Sequence, residues 1–493
     1  MFEVAEIGRK LSKKQFRLIA EQLHTRLLEA QFKLRDSSHP VIIIVSGVEG
    51  SGKGEVVNRL NEWLDSRGIE TNAFWDETDE QAMRPAYWRF WRSLPTRGNI
   101  GIMFGSWYTR PIVNHVYNKI DEAEFERQLV KIREFETMLA EDGAIIIKLW
   151  FHMSRQAVVE KLSQEAELRK TAPQTEKYIQ QYDQFLPVCE QALRSTEQSR
   201  LPWHIIEATD RNYRDACCGE IILETLETHL EEAANAKGDS RQAKSHKLEL
   251  PHQPTILDRV DLDLTLTKGK YLTELAQAQS KLNKLAWQAR EQRKSIVAVF
   301  EGWDAAGKGS AIRRVTQAVD ARLFKVISTA APTDEEQAHH YLWRFWRHIP
   351  LAGYMTIYDR SWYGRVLVER VENFARHDEW QRAFGEINHF EEHLVEHGII
   401  ICKFWIHISP EEQLRRFQER QEIPWKQYKI TDEDWRNREK WDHYKDAIND
   451  MVAHTSTQHA PWSLISGDDK KHARVEIINT LCQSIATKLK QET

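Results

Sequence analysis

A chain of 493 residues exceeds one ordinary core, since domains run from about 50 to 250 residues, so two cores are expected. Its 69 Lys and Arg against 74 Asp and Glu leave a net charge of −5, which excludes binding to nucleic acid or membrane through bulk charge and makes any basic site local. The five cysteines (Cys189, Cys217, Cys218, Cys402 and Cys482) lack C-x-x-C pairing, no apolar stretch approaches about 18 residues, and the N-terminus has no apolar signal core; the expectation is a cytoplasmic protein.

Lys14 to Lys33 carries the amphipathic period of a leading helix. A β-rich run, Ile42 to Val45, then opens onto Gly47-Val48-Glu49-Gly50-Ser51-Gly52-Lys53-Gly54, a helical stretch follows, and a second apolar run spans Ala144 to Trp150. The whole pattern returns at a constant offset of 255 residues. Tyr271 to Arg293 repeats the leading helix, and Val297 to Phe300 precedes Gly302-Trp303-Asp304-Ala305-Ala306-Gly307-Lys308-Gly309. Thr78-Asp79-Glu80 pairs with Thr333-Asp334-Glu335, Trp88-Arg89-Phe90-Trp91-Arg92 with Trp343-Arg344-Phe345-Trp346-Arg347, and Ser106-Trp107-Tyr108 with Ser361-Trp362-Tyr363. Register fails beyond about residue 163, where the second copy carries about four extra residues, and resumes at Pro202-Trp203 against Pro461-Trp462. Between the copies a polar stretch punctuated by Gly238, Pro251 and Pro254 reads as a linker. The expected organisation is an N-terminal domain over 1–232, a linker over 233–255 and a C-terminal domain over 256–493. Alternating strands and helices predict an α/β fold: two tandem P-loop kinase-like domains, each a parallel β-sheet flanked by helices, with a helical lid.

G-x-x-x-x-G-K directly after a hydrophobic strand is a phosphate cradle, because Gly302 and Gly307 let backbone N–H groups turn toward anionic oxygens and Lys308 lies against the transferring phosphate. Gly309 stands where a Mg-binding Ser or Thr normally follows the lysine, so the metal needs other oxygens, and Asp304 and Asp359 are the natural suppliers for a hard Mg²⁺ ion. The first copy has Glu49 in place of Asp304 and Phe104-Gly105 in place of Asp359-Arg360. It keeps a cradle but lacks one carboxylate and one guanidinium, so the expectation is a catalytically silent N-terminal domain, with anion binding there left open.

The interval where the copies diverge reads Arg415-Arg416-Phe417-Gln418-Glu419-Arg420 in the second copy, followed by Lys426, Lys429, Arg436 and Arg438. Arg416 and Arg420, four apart, face one way on a helix and are expected to close over a phosphate. Trp-Arg-Phe-Trp-Arg reads as packing in both copies. His389 and His393 fit a five-residue zinc pattern with Glu392, but with nothing else pointing to zinc a wet helix face is the expectation.

Glu301 to Ser310 (E-G-W-D-A-A-G-K-G-S), Tyr358 to Arg365 (Y-D-R-S-W-Y-G-R), Val366 to Val371 (V-L-V-E-R-V) and the lid ending at Trp462 resemble the polyphosphate kinase 2 family, with the duplicated arrangement of its two-domain members. The resemblance implies Mg²⁺-dependent transfer of the terminal phosphoryl group of inorganic polyphosphate to AMP, giving ADP, with some use of GMP, in the C-terminal half. It assigns activity to Asp304, Lys308, Asp359, Arg360 and Arg420, and substrate binding to Gly302, Gly307, Gly309, Arg365, Glu369, Arg416 and Lys429, and it makes a homodimer plausible. Two alternatives share the same residues: a nucleotide kinase using ATP as donor, and a P-loop scaffold without turnover.

Overall fold

The computed structural model describes residues 1–161, 173–236 and 255–490, with side chains described throughout these except at 173–181, 232–236, 425, 426 and 429. Part of the expected linker, 237–254, and the first copy's lid residues 162–172 lie outside them. The chain forms two compact units. One comprises Met1–Glu77, Arg89–Ser245 and Gln337–His340, and the other Thr78–Trp88, His246–Glu336 and Tyr341–Thr493. Each unit therefore includes a short piece of the other copy, which the constant repeat offset does not reveal.

In the N-terminal unit the principal elements are α1 (Lys13–Arg35), β1 (Val41–Gly47), α2 (Lys53–Trp63), β2 (Ile69–Ala73), β3 (Ile100–Phe104), α3 (Glu122–Glu141), β4 (Ile145–His152), α4 (Pro173–Ser195), β5 (Trp203–Glu207) and α5 (Arg211–Ala236). Ser12 and Gln15 close a capping box at the start of α1, so the sequence fixes where that helix begins. The strands pair in parallel in the order β2-β3-β1-β4-β5. With helices on both faces, β4 is buried at all eight positions, as its unbroken apolar run requires. Leu27, Ile43, Ile147 and Leu226 belong to one core cluster that joins α1, β1, β4 and α5.

The C-terminal unit contains α6 (Lys268–Glu291), β6 (Ile296–Gly302), α7 (Lys308–Thr316), β7 (Phe324–Ser328), β8 (Met355–Asp359), α8 (His377–Glu396), β9 (Ile400–His407), α9 (Pro410–Glu422), α10 (Asp432–Glu439), α11 (Trp441–Thr455), β10 (Trp462–Ser466) and α12 (Lys470–Lys490). Its sheet runs β10-β9-β6-β8-β7, the same topology. The glycine-loop strand β6 is central, and the chain steps from it to opposite sides, which opens a crevice at the carboxyl ends of the strands. Register places Phe300 beside Asp359 and Gly302 beside Ile406, so the loop after β6 and the aspartate ending β8 emerge at one end of the sheet.

Trp343, Phe345 and Trp346 are buried, so the aromatic repeat is packing, and Arg344 pairs with Glu336 at 3.2 Å. Within the same unit Trp88 Nε1 donates to the Trp346 carbonyl at 2.9 Å, and the rings of Tyr87 and His393 stack 4.6 Å apart. His389 and His393 are half-buried and His397, four residues further on, is exposed, and no cluster of three or more metal-ligating side chains occurs among the described residues. All five cysteines are free thiols. No helix among the described residues is long and apolar enough to cross a membrane.

Candidate active site

The loop between β6 and α7 is shaped by two glycines. Gly302, at φ +152°, lies so close to β9 that a Cβ would sit 2.7 Å from the Ile406 carbonyl oxygen, and Gly307, at φ +109°, caps α7. A Cβ at Gly309 would meet nothing within 4 Å, so that glycine is not demanded by space. Lys308 Nζ donates back to the carbonyls of Gly302 and Trp303, which folds the ammonium under the loop. Burial lowers its affinity for a proton, while Asp304, Asp359 and Glu301 oppose that trend.

A cavity of about 730 Å³ opens over this loop. Its lining brings together Asp304, Gly307, Lys308, Gly309, Asp359, Arg360, Arg416 and Arg420, all expected from the sequence. Arg360 is a non-glycine residue at φ +63°, where a side chain costs about 1 kcal/mol or more. Gly105, its counterpart in the first copy, takes the same left-handed conformation at φ +76° with no such cost. The second copy thus accepts backbone strain to hold a guanidinium over the loop, with Arg360 Nη2 3.3 Å from Asp304 Oδ1.

Beneath this pair lies a buried carboxylate that the sequence reading passed over. Glu301, 5% exposed, accepts from Ser361 Oγ at 2.8 Å, and burial raises its pKa against the pull of Lys308. A charged residue closing an apolar strand was the available signal. Three further basic groups line the cavity without having been singled out: Arg313 on α7, and Lys470 and Arg474 on α12, join Arg420 of α9. Burial, with Arg416 nearby, pushes the Lys470 ammonium down to about 8.

Arg416, expected to act with Arg420 on a phosphate, also lines the cavity, but its guanidinium is turned toward the loop. Ser409 caps α9, accepting from the Glu412 N–H at 3.1 Å with Pro410 next in line, and this start directs Arg416 inward. The guanidinium is 2% exposed, and its N–H groups donate to Glu412 and to the carbonyls of Ala305, Ala306, Gly467 and Asp468. All five donors are committed, so Arg416 braces the loop from within. Arg365 and Glu369 pair with each other at 3.2 Å and do not line the cavity. The side chain of Lys429 lies outside those described.

The N-terminal unit repeats the loop with different residues around it. Lys53 Nζ donates to the carbonyls of Gly47 and Val48 at 2.9 and 2.8 Å, and Glu49 lies 3.8 Å from it. Here the brace comes from a different element: the fully buried Arg214 of α5 donates to the Ser51 carbonyl at 3.1 Å. A Cβ on Gly52 would lie 1.7 Å from Arg214 Nη1, so this glycine is kept for the brace.

Comparison with known proteins agrees with these geometries. The family profile "Polyphosphate kinase 2" matches residues 10–234 and 265–493. A polyphosphate:AMP phosphotransferase of Pseudomonas aeruginosa is 45% identical, with 100% of each chain covered. One of Acinetobacter johnsonii is 36% identical over 94% of this chain and 96% of its own. A solved structure described as a polyphosphate kinase 2 from Pseudomonas aeruginosa superposes with a TM-score of 0.90 at 45% identity, covering 100% of both chains. With both repeats matched and the loop, strand-end aspartate and basic groove in place, the chain belongs to the polyphosphate kinase 2 family.

Proposed function

We propose that the protein transfers the terminal phosphoryl group of inorganic polyphosphate to AMP, forming ADP, and that the groove of the C-terminal unit is where the reaction occurs. The observation that carries this reading is the grouping of Asp304, Lys308, Asp359 and Arg360 around one cavity, when the first copy has Glu49, Phe104 and Gly105 at three of these positions. Relatives of matching length, named polyphosphate:AMP phosphotransferases, support the choice of donor and acceptor.

The acceptor phosphate has a second pKa of about 6, so its attacking oxygen is already ionised near neutrality and needs little help from a base. What the protein must supply is alignment of two polyanions and compensation of their charge. Lys308 and the N–H groups at the start of α7 receive the phosphate undergoing transfer, Arg360 stands over it, and Arg313, Arg420, Lys470 and Arg474 hold the donor chain. Two carboxylates, Asp304 and Asp359, on one cavity wall fit Mg²⁺, which takes one or two protein carboxylates and completes its shell with phosphate and water. A Mg²⁺ ion held by these two carboxylates would supply compensation for the negative charge of the phosphates. Free thiols throughout are consistent with a cytoplasmic location.

The test is nucleotide product analysis with AMP and Mg²⁺, using polyphosphate or ATP as donor, for wild type and Lys53→Ala. ADP formed from polyphosphate, with Lys53→Ala within about twofold of wild type, is the expected result. ADP formed only with ATP would make the protein a nucleotide kinase, and its loss in Lys53→Ala would mean that the first cradle participates.

Lys470 gives this reading a pH signature. Its ammonium is charged below about 8 and neutral above, so the groove loses a positive charge as pH rises through that value. The KM for polyphosphate should climb about threefold to tenfold between pH 7 and 9. Lys470→Arg, which stays charged, should flatten the rise, and an unchanged pH dependence in that variant would remove Lys470 from the donor path.

A further inference from the structure

Asp304 is held from two directions. Its Oδ1 faces Arg360, while its Oδ2 accepts from Asn437 Nδ2 of α10 at 2.9 Å. The carboxamide is itself oriented, because Asn437 Oδ1 accepts from the Tyr444 hydroxyl of α11 at 3.4 Å. The next residue of α10 reaches Asp304 by a second route: Arg438 Nη1 donates to Gln413 Oε1 at 3.0 Å, and Gln413 Nε2 donates to the Asp304 carbonyl at 3.1 Å. Alongside, Trp303 stacks on Trp441, the first residue of α11, at 3.7 Å and 6°.

We infer that Asn437 is a positioning residue that latches α10 to the glycine loop and fixes the orientation of the Asp304 carboxylate. The choice of an amide is chemically informative. An Asn N–H holds the Oδ2 side of the carboxylate without adding a second positive charge beside Arg360, whereas a lysine or arginine at this point would add one. In the first copy both members differ together. Thr196 and Thr455 occupy equivalent places, each accepting from the buried lysine of its unit and from a tryptophan N–H, which sets an offset of 259 for the helices before them. At that offset Asn437 falls on Tyr178, and Asp304 falls on Glu49 in the loop register. The Asn–Asp pairing is therefore written into the sequence of the second copy and not of the first.

This inference rests on the C-terminal groove being the reacting site, and its test has one arm that does not. In the full-length protein without added metal or substrate, hydrogen exchange over 432–439 should quicken by about tenfold in Asn437→Ala and equally in Asp304→Ala, with the double variant no faster than either. Wild-type exchange in Asp304→Ala, or effects that multiply in the double variant, would overturn the latch even if no turnover were detected. In the activity arm, Asn437→Ala should lower kcat about tenfold with the KM for AMP within about twofold. Asn437→Asp keeps the shape but loses the donor, so it should be at least as slow as Asn437→Ala. An Asp variant closer to wild type than the Ala variant would assign Asn437 to packing alone.

Discussion

Replacing Asp359 by asparagine should lower ADP formation from polyphosphate and AMP by about a hundredfold to a thousandfold. The substitution preserves volume, and the backbone anchor at this position is untouched, since the Thr329 N–H donates to the Asp359 carbonyl at 3.0 Å. What disappears is the strand-end carboxylate; Asp304 remains beside Lys308 and Arg360, and the other carboxylates lining the cavity, Glu419, Glu433 and Asp434, belong to α9 and α10. A charge that acts on the transition state is lost from kcat rather than from the KM for AMP, so the two constants should separate. Steady-state measurement at saturating Mg²⁺ checks this, and a kcat within tenfold of wild type would remove Asp359 from the reacting site. The first copy has made a more drastic change at this point, to Phe104, while leaving its fold intact.

The second large effect concerns stability. Lys403 on β9 and Glu391 on α8 form an ion pair at 2.7 Å with both side chains fully buried. Tyr363 and Trp362 donate to the same carboxylate at 2.7 and 3.1 Å, and Lys403 also donates to the Thr455 carbonyl at 2.7 Å. Removing one partner strands the other charge, so Lys403→Met should cost about 3–5 kcal/mol, seen as an earlier urea transition. A Lys403→Met, Glu391→Leu pair should recover much of that loss, because an apolar replacement leaves no orphaned charge. Activity per folded molecule should persist at low temperature. The reason is internal to the molecule: Lys148, Glu136, Tyr108 and Trp107 build the same cluster in the N-terminal unit, with the lysine and glutamate 3.1 Å apart. A device kept in both copies, when the strand-end aspartate is kept in one, serves the fold. Loss of turnover without loss of stability in Lys403→Met would reverse that assignment.

Much of this was readable before any coordinates. Unbroken apolar strands and glycine loops repeated at a fixed spacing specify two parallel sheets, because the same residues must bury the same faces. The loop lysine and the strand-end aspartate were readable for a related reason: the ends of β6 and β8 have few places to go. Side chains on helices were harder. Arg416 and Arg420 share a helix face and both line the cavity, yet the Arg416 guanidinium, one turn earlier on α9, is spent on loop carbonyls. Periodicity states which way a residue points and is silent on what lies beneath it. Asn437 sits between Arg436 and Arg438 and is overshadowed because its neighbours carry the charge, and Arg214 was invisible because its loop lies 163 residues away in sequence.

The composition of the two units also governs how the chain can be made. The N-terminal unit includes Gln337–His340, whose last residue lies 5.3 Å from Trp91 ring to ring. Synthesis proceeds from the N-terminus at about 5–20 residues per second, so for roughly 5–20 seconds after residue 245 emerges that unit is still missing a piece. During this interval the Trp91 side chain lacks its His340 neighbour, a nascent surface suited to chaperone capture. The C-terminal unit faces no such delay, because Thr78–Trp88 has been waiting since early in translation. A gene divided at the linker would deprive both products at once, which ties the two halves into a single hereditary unit.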